Sequence, residues 1–197
     1  MQPRSLPVRA GTPQRGTRPP RTTGYTLIEL MVVVGVASLL IAAVTVILHN
    51  SQSAFSTGVT IETVQATATR LVNQVAGELK DASIASLGSP YNSNSISFRK
   101  NLGQSGGVVT LSSTITYAYV TNSDTKLGDG KLVRTQDSAS TTIGTYVKST
   151  NPDTSLPGFC VTKNGSQITI SVTVQQTDTQ GRIVRYTAAT SVCPMTQ

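Results

Sequence analysis

The stretch Gly24-Tyr25-Thr26-Leu27-Ile28-Glu29-Leu30 opens an apolar run that continues to Leu48. From residue 30 to residue 48 the chain has 19 residues and no charged side chain. A helix of that length covers about 28 Å, which is close to the hydrocarbon thickness of a bilayer. The sequence therefore predicts a membrane-spanning helix that carries one acid, Glu29, near its start.

Three interpretations of this segment compete. A secretory signal peptide has a shorter apolar region and then a small-residue cleavage site, whereas no helix break follows residues 49–51 here. A plain signal anchor agrees with arginines on the cytoplasmic side. It leaves Glu29 unexplained, because a carboxylate inside an apolar span costs about 2.5–3.5 kcal/mol on insertion scales. In the third interpretation, Glu29 pairs with a group on another molecule when the protein assembles.

The residues from Gly24 to Glu29 resemble the processing motif of type IV prepilins, in which an aromatic residue follows the glycine and a glutamate stands fifth after the cut. The resemblance implies that prepilin peptidase removes residues 1–24. It also implies that Tyr25, where Phe is commonest, becomes the N-methylated terminus. Because a helix returns to the same face after four residues, the Tyr25 amine and the Glu29 carboxylate share a face. The resemblance further implies that Glu29 pairs with the terminal amine of a neighbouring subunit in a low-dielectric core.

The formal charge of +7 arises mostly in the leader. Five arginines and no acid lie there: Arg4, Arg9, Arg15, Arg18 and Arg21. Without them 11 basic and 9 acidic residues remain, a net charge of +2. The basic pI therefore does not indicate a nucleic-acid surface; Arg182 and Arg185 with Tyr186 are weak candidates for DNA contact if a pilus serves uptake. The long, proline-rich leader also allows a translation start downstream of Met1.

Residues 49–88 predict an amphipathic continuation of the membrane helix of residues 25–48. Apolar residues recur at spacings of three and four along one stripe: Ile61, Val64, Ala68, Leu71, Val75, Leu79 and Ala82. No proline occurs from residue 25 to residue 89, while Gly88 and Pro90 supply a stop signal. We therefore expect one helix over residues 25–87.

After Pro90 an alternating pattern replaces the helical period, so residues 89–197 predict an extracytoplasmic, β-rich domain. The expected strands cover residues 96–99, 108–111, 115–120, 131–134, 168–174 and 183–192, with a hairpin loop over residues 177–181. Residues 138–158 are expected to be mostly loop, and residues 103–107 a flexible loop. The predicted fold class is α+β, pilin-like, with the long helix packed on an antiparallel sheet.

The two cysteines, Cys160 and Cys193, stand 33 positions apart near the C-terminus. Neither has a histidine or another thiol close by in sequence, so a metal site is not expected. If the domain lies outside the cytoplasm, a disulfide between them is the natural state. Two buried free thiols are the alternative.

The sequence shows no catalytic constellation and predicts no cofactor, so an enzyme is not expected. The one histidine, His49, stands at the end of the membrane span, where an interfacial helix residue is expected. Asp124 and Asp129 are weak calcium candidates on a polar loop. Lysines flank both acids, so a solvated hairpin is favoured there.

A finer resemblance is carried by Tyr117, Tyr119, Leu132 and Arg134, which are similar to a pattern in PilW-type minor pilins and J-type pseudopilins of type II secretion. It implies a minor subunit of the tip or initiation complex. The implied partners are other pilin subunits, prepilin peptidase, an inner-membrane assembly platform and, before assembly, membrane lipid. The protein would span the inner membrane once and then enter an extracytoplasmic filament. The alternatives are a secretion-system pseudopilin, a DNA-uptake pilus subunit and a single-pass envelope protein that never polymerises.

Overall fold

The computed structural model describes residues 24–83, 86–87, 93–123 and 129–194. The chain divides into two compact units, one ending at Ile47 and one beginning at Leu48. One helix, α1, covers Leu27–Lys80 and contributes to both units. A long apolar helix followed by an antiparallel sheet confirms the predicted α+β, pilin-like fold class.

The unit that ends at Ile47 consists, in its described part, of the beginning of α1. Every residue from 24 to 47 is exposed. Even the most covered large apolar side chain, Val36, is 52% exposed, and Leu27 is 75% exposed. A helix that is apolar on all sides is stable when lipid or other helices surround it.

In the second unit α1 becomes amphipathic and supplies one side of the core. The predicted stripe is confirmed for its central members, since Val64, Ala68, Leu71, Val75 and Leu79 have no exposed surface. Ile61, the first member, is 42% exposed. The apolar face therefore begins to be covered one turn later than the periodicity suggests.

Nine strands follow the helix in the described residues. They are β1 (Ser95–Phe98), β2 (Asn101–Ser105), β3 (Val108–Leu111), β4 (Ile115–Thr121), β5 (Gly130–Gln136), β6 (Ala139–Val147), β7 (Phe159–Asn164), β8 (Gln167–Thr177) and β9 (Ile183–Val192). The six predicted strands correspond to β1, β3, β4, β5, β8 and β9.

Seven of these strands form one antiparallel sheet in the order β1-β4-β5-β6-β8-β7, with β9 paired along β8. β2 and β3 form a separate hairpin. A bridge between Ser93 and Val161 brings the chain before β1 back to β7, so the sheet curls round. The alternation in β8 is confirmed, because Ile168, Ile170 and Val172 lie with no exposed surface in the core that α1 also lines.

The end of the helix differs from the prediction of residue 87, because α1 ends at Lys80. The chain leaves the helix there by bonding to the connection between β1 and β2. Ala82 forms an antiparallel bridge with Lys100, and the Ser83 amide donates to the Arg99 carbonyl at 3.1 Å. These bonds satisfy backbone groups that another helical turn would have used. The glycine and proline at positions 88 and 90 lie outside the described residues.

The loop predictions for residues 138–158 and 103–107 hold only in part. Residues 139–147 form β6, and residues 101–105 form β2, with the turn to β3 at Gly106 and Gly107. β6 contains β-branched Thr141, Thr142 and Ile143, which suit a strand. Its first four residues are exposed, so no apolar alternation marks them in the sequence.

The predicted disulfide was also wrong: Cys160 and Cys193 are free, the first buried and the second exposed. Cys160 lies on β7 opposite Ser171 of β8, while Cys193 follows the end of β9, where Val192 lies opposite Ile168 of β8. β8 thus stands between them, and their positions are offset by about four residues along it. At normal strand spacing the two Cα atoms are on the order of 16 Å apart, far beyond the ~7 Å that a disulfide can span.

Burial raises the pKa of the Cys160 thiol, which disfavours the thiolate and therefore oxidation. The alternative prediction was two buried free thiols. Cys160 is buried as that alternative requires, but Cys193 is exposed.

Candidate assembly site

Thr26 and Glu29 form a reciprocal cap at the start of α1. The Thr26 amide donates to Glu29 Oε2 at 2.9 Å, and the Glu29 amide donates to Thr26 Oγ1 at 3.2 Å. This arrangement is a capping box, which satisfies backbone donors that the first turn of a helix leaves without partners. The sequence carries the signal for this cap as Thr-x-x-Glu, so Glu29 has an intramolecular role beside the intermolecular one that the resemblance implies.

Gly24 and Tyr25, which bracket the predicted cleavage point, precede the cap and are exposed. Tyr25 has 86% of its surface exposed. Apart from its chain neighbours, no described residue has an atom within 4 Å of the position that a Cβ on Gly24 would occupy. The described residues therefore leave the peptide bond between Gly24 and Tyr25 sterically open.

The segment that follows the cap is long enough and apolar enough to span a membrane. Among the described helices, α1 alone fulfils both conditions. Glu29 stands at its beginning. Within the part of the chain that the structure describes, no cationic side chain forms an ion pair with Glu29. The capping bonds satisfy the carboxylate as an acceptor but leave its charge without a counterion.

A second polar cluster ties the β8–β9 loop to α1. Each oxygen of the buried Asp178 carboxylate accepts two hydrogen bonds. Oδ1 accepts from the amides of Gln180 and Arg182 at 2.9 and 2.8 Å, and Oδ2 accepts from Arg182 Nε at 2.8 Å and Thr57 Oγ1 at 2.9 Å. Arg182 Nη2 also donates to the carbonyl of Ser53 at 3.2 Å. The loop turns at Gly181, whose φ of 79° favours glycine.

This cluster changes the acidity of Asp178. Burial alone would raise the pKa of the carboxyl, but the hydrogen bonds from Arg182, Thr57 and Gln180 outweigh it and lower the pKa to about 2. The fold therefore favours the carboxylate over the acid. The contribution to stability is present above the ordinary pKa near 3.8 and is lost as the pH falls toward 2.

We expect Asp178→Asn to lower the unfolding midpoint at pH 7 and to flatten the acid limb of stability between pH 4 and pH 2. The reason is that the amide cannot accept all four hydrogen bonds and does not titrate. Urea unfolding of the detergent-solubilised protein at a series of pH values measures both effects. Asp153→Asn is the matched control, since Asp153 is exposed and stands 3.5 Å from its partner Arg185. Equal changes in the two variants would contradict the role given to Asp178.

The two arginines considered for DNA contact each lie beside an acid. Arg182 pairs with Asp178 at 2.8 Å, and Arg185 lies 3.5 Å from Asp153. Charges already offset within the fold attract a phosphate backbone weakly. This arrangement does not favour a nucleic-acid interface at β9.

Tyr117, Tyr119, Leu132 and Arg134, the residues of the finer resemblance, come together as two cross-strand pairs. Tyr117 lies opposite Arg134, and Tyr119 opposite Leu132. Arg134 Nε donates to both carboxylate oxygens of Glu78 on α1, at 3.1 and 3.2 Å. Arg134 therefore joins the sheet to the helix, which is a structural role.

The environment of Tyr117 agrees with this role. Its side chain has no exposed surface and stacks on Phe98 with ring centroids 6.2 Å apart. Burial, and then the nearby Glu78 carboxylate, raise the pKa of its phenol well above the usual range. The ring thus stays neutral in the core.

Those of the remaining sequence candidates that the structure describes form no site with one another. Asp124 lies outside the described residues, and Asp129 pairs with the ammonium of Lys148. Among the described residues no group of three or more His, Cys, Asp or Glu side chains is placed to hold a metal ion. His49 is an exposed residue of α1.

Comparison with known protein families finds one match: the family model described as the prokaryotic N-terminal methylation motif covers residues 20–45. This span includes the cap, the predicted cleavage point and most of the apolar run. The match indicates a type IV pilin-like N-terminal motif, which implies processing by prepilin peptidase and assembly with other pilins; it does not specify a subtype. Searches of curated proteins and of solved structures give no match.

Proposed function

We propose that the chain is a structural subunit of a type IV pilus-like filament. Residues 1–24 are its leader, residues 25–48 its membrane and assembly segment, and residues 89–197 its extracytoplasmic domain. Prepilin peptidase cuts after Gly24, and Tyr25 becomes the methylated terminus. One observation carries the proposal: Glu29 has no counterion among the described residues, and it stands at the start of an exposed apolar helix that begins two residues after the proposed cut.

The assembly step follows from the physical cost of that arrangement. In the membrane the apolar side chains from residue 27 onward are covered by lipid, and in a filament they are covered by neighbouring helices. A new α-amine appears at Tyr25 after cleavage, in a segment where charge is expensive. Pairing this amine with the Glu29 carboxylate of a neighbour neutralises two charges and fixes the offset between subunits.

Within this class we favour a minor subunit of the tip or initiation complex over the main shaft subunit. The large β-rich domain and the pairing of Tyr117 with Arg134 and Tyr119 with Leu132 support it, since these residues carry the resemblance to PilW-type and J-type proteins. The same resemblance favours a pseudopilin of type II secretion as the second candidate. A non-polymerising envelope protein is the least favoured, because it gives Glu29 no partner.

Gly24→Val tests the cut without disturbing the described fold, since no described residue other than its chain neighbours lies within 4 Å of the position of its Cβ. We expect the variant to accumulate as uncut precursor in the membrane fraction and to be absent from sheared filaments. Mass spectrometry of the wild-type protein from the same filaments should find a terminus at N-methylated Tyr25. Wild-type protein that retains residues 1–24 in cells with active prepilin peptidase would refute the proposal.

A further inference from the structure

The triplet Asn164-Gly165-Ser166 connects β7 to β8. An asparagine, then any residue except proline, then a serine or threonine is the acceptor sequence for an N-linked sugar on a surface loop. No other asparagine of the chain has a serine or threonine two positions later. Such triplets also arise by chance, so the place of this one in the fold decides whether it can serve as an acceptor.

The triplet forms the tight turn of the β7–β8 hairpin. Asn164 is the last residue of β7 and lies opposite Gln167, the first residue of β8. Gly165 has a φ of 60°, a conformation that favours glycine. Residues 163–167 are all exposed, and apart from its chain neighbours no described residue has an atom within 4 Å of the position of a Cβ on Gly165. The acceptor amide therefore lies on an open turn that an enzyme can reach.

The two polar side chains of the triplet do not hold the hairpin together. Among the described residues, neither the Asn164 carboxamide nor the Ser166 hydroxyl forms a hydrogen bond. The hairpin is instead held by its backbone ladder and by buried pairs such as Val161 opposite Ile170, which are 2% and 0% exposed. A sugar on Asn164 Nδ2 therefore breaks no side-chain hydrogen bond of the described fold and displaces no core residue.

The position of the turn along β8 also suits a bulky substituent. The loop at the other end of this strand contacts α1 through the hydrogen bond between Thr57 and Asp178. The 11 residues of β8 cover about 33 Å between the two ends. Within the unit that begins at Leu48, a sugar at Asn164 thus lies at the end of β8 that is far from the contact with Thr57.

We propose that Asn164 is the acceptor of an N-linked oligosaccharide. The donor is an oligosaccharide carried on a polyprenyl pyrophosphate, and a membrane-bound oligosaccharyltransferase catalyses the transfer. Asn164 Nδ2 forms a bond to the anomeric carbon of the first sugar and gives one proton to a base of that enzyme. The bond from the same carbon to the pyrophosphate oxygen breaks, and polyprenyl pyrophosphate leaves with the bonding electrons. This modification goes beyond the proposed function and takes from it only the extracytoplasmic place of residues 89–197.

The test is mass spectrometry of the full chain, purified from the membranes and the sheared filaments of its own host and digested with trypsin. We expect the peptide that contains position 164 to be heavier than its sequence by at least one sugar residue, with fragment ions that place the sugar on Asn164. Ser166→Ala keeps the asparagine but removes the hydroxyl of the acceptor sequence, so the added mass should disappear completely. Ser166→Thr is the matched control, since it keeps an acceptor sequence at the same exposed turn and should retain the added mass.

A wild-type peptide with the mass of its unmodified sequence overturns this proposal. Two other results also overturn it. One is the small mass increase of an asparagine hydrolysed to aspartate, which an Asn-Gly pair undergoes without an enzyme, and the other is an added sugar mass that persists in Ser166→Ala. All three leave the proposed function intact if the chain is cut after Gly24. A wild-type chain that retains residues 1–24 overturns the proposed function instead.

Discussion

Glu29→Ala should leave the protein cut after Gly24 and bound to the membrane, yet absent from sheared filaments. Without the carboxylate, the terminal amine of a neighbouring subunit is left unpaired in an apolar core. An uncompensated charge there costs about 2.5–3.5 kcal/mol, which corresponds to a roughly 10²-fold loss of incorporation for each contact. Immunoblots of the membrane and filament fractions measure this loss of incorporation directly.

The cap at the start of α1 complicates this experiment, because Glu29 also accepts the hydrogen bond from the Thr26 amide. Glu29→Gln separates the two roles. Glutamine can take the same capping position but carries no charge. We expect Glu29→Gln to be excluded from filaments nearly as completely as Glu29→Ala. Thr26→Ala, which weakens the cap and keeps the charge of Glu29, should retain most of the wild-type incorporation into filaments. Normal incorporation of Glu29→Gln would show that the cap, and not the charge, matters.

Leu71→Ala should cause a large loss of stability in the β-rich unit. Leu71 is fully buried and packs so closely against Gly144 that a Cβ on that glycine would lie 2.6 Å from Leu71 Cδ2. Truncating a buried leucine typically costs about 2–5 kcal/mol, since it loses apolar burial and leaves a cavity. For a domain of this size the unfolding midpoint should fall by about 4–20 °C.

Thermal unfolding of the detergent-solubilised protein, followed by circular dichroism, provides the measurement. Leu102→Ala is the matched control, because the same truncation is made at a leucine that is 64% exposed. The control should change stability by about 0.5 kcal/mol or less. Comparable losses of stability in both variants would mean that packing of the apolar stripe of α1 does not stabilise the sheet.

The periodic elements were predictable from the sequence because their side chains alternate between core and solvent. The stripe through Leu71 and the alternation in β8 both follow from this rule. β6 was missed because its first residues face solvent on both sides and carry hydroxyl groups instead of apolar side chains. The end of α1 was placed seven residues too late because the bridge from Ala82 to Lys100 depends on the connection between β1 and β2, further along the chain.

The contacts of the candidate site also differ in whether they could be predicted from the sequence. The cleavage point, Tyr25 and Glu29 form a local motif, and the cap partner Thr26 lies only three residues from Glu29. By contrast, Asp178 and Thr57 are 121 positions apart, and Arg134 and Glu78 are 56 apart. Contacts of such separation leave no periodic signal in a single sequence. The same reason explains the wrong disulfide, since β8 separates two cysteines that the linear order places at either end of the last hairpin.

The start of α1 at Leu27 has one more consequence. A helix carries a partial positive charge at its N-terminus, because its peptide dipoles are aligned. If the chain is cut after Gly24 as proposed, a full positive charge is added to the same end, and N-methylation would not remove it. The Glu29 carboxylate in the first turn then faces two positive charges, the helix terminus of its own chain and the amine, so under the proposed function an anionic side chain from another subunit would relieve the excess.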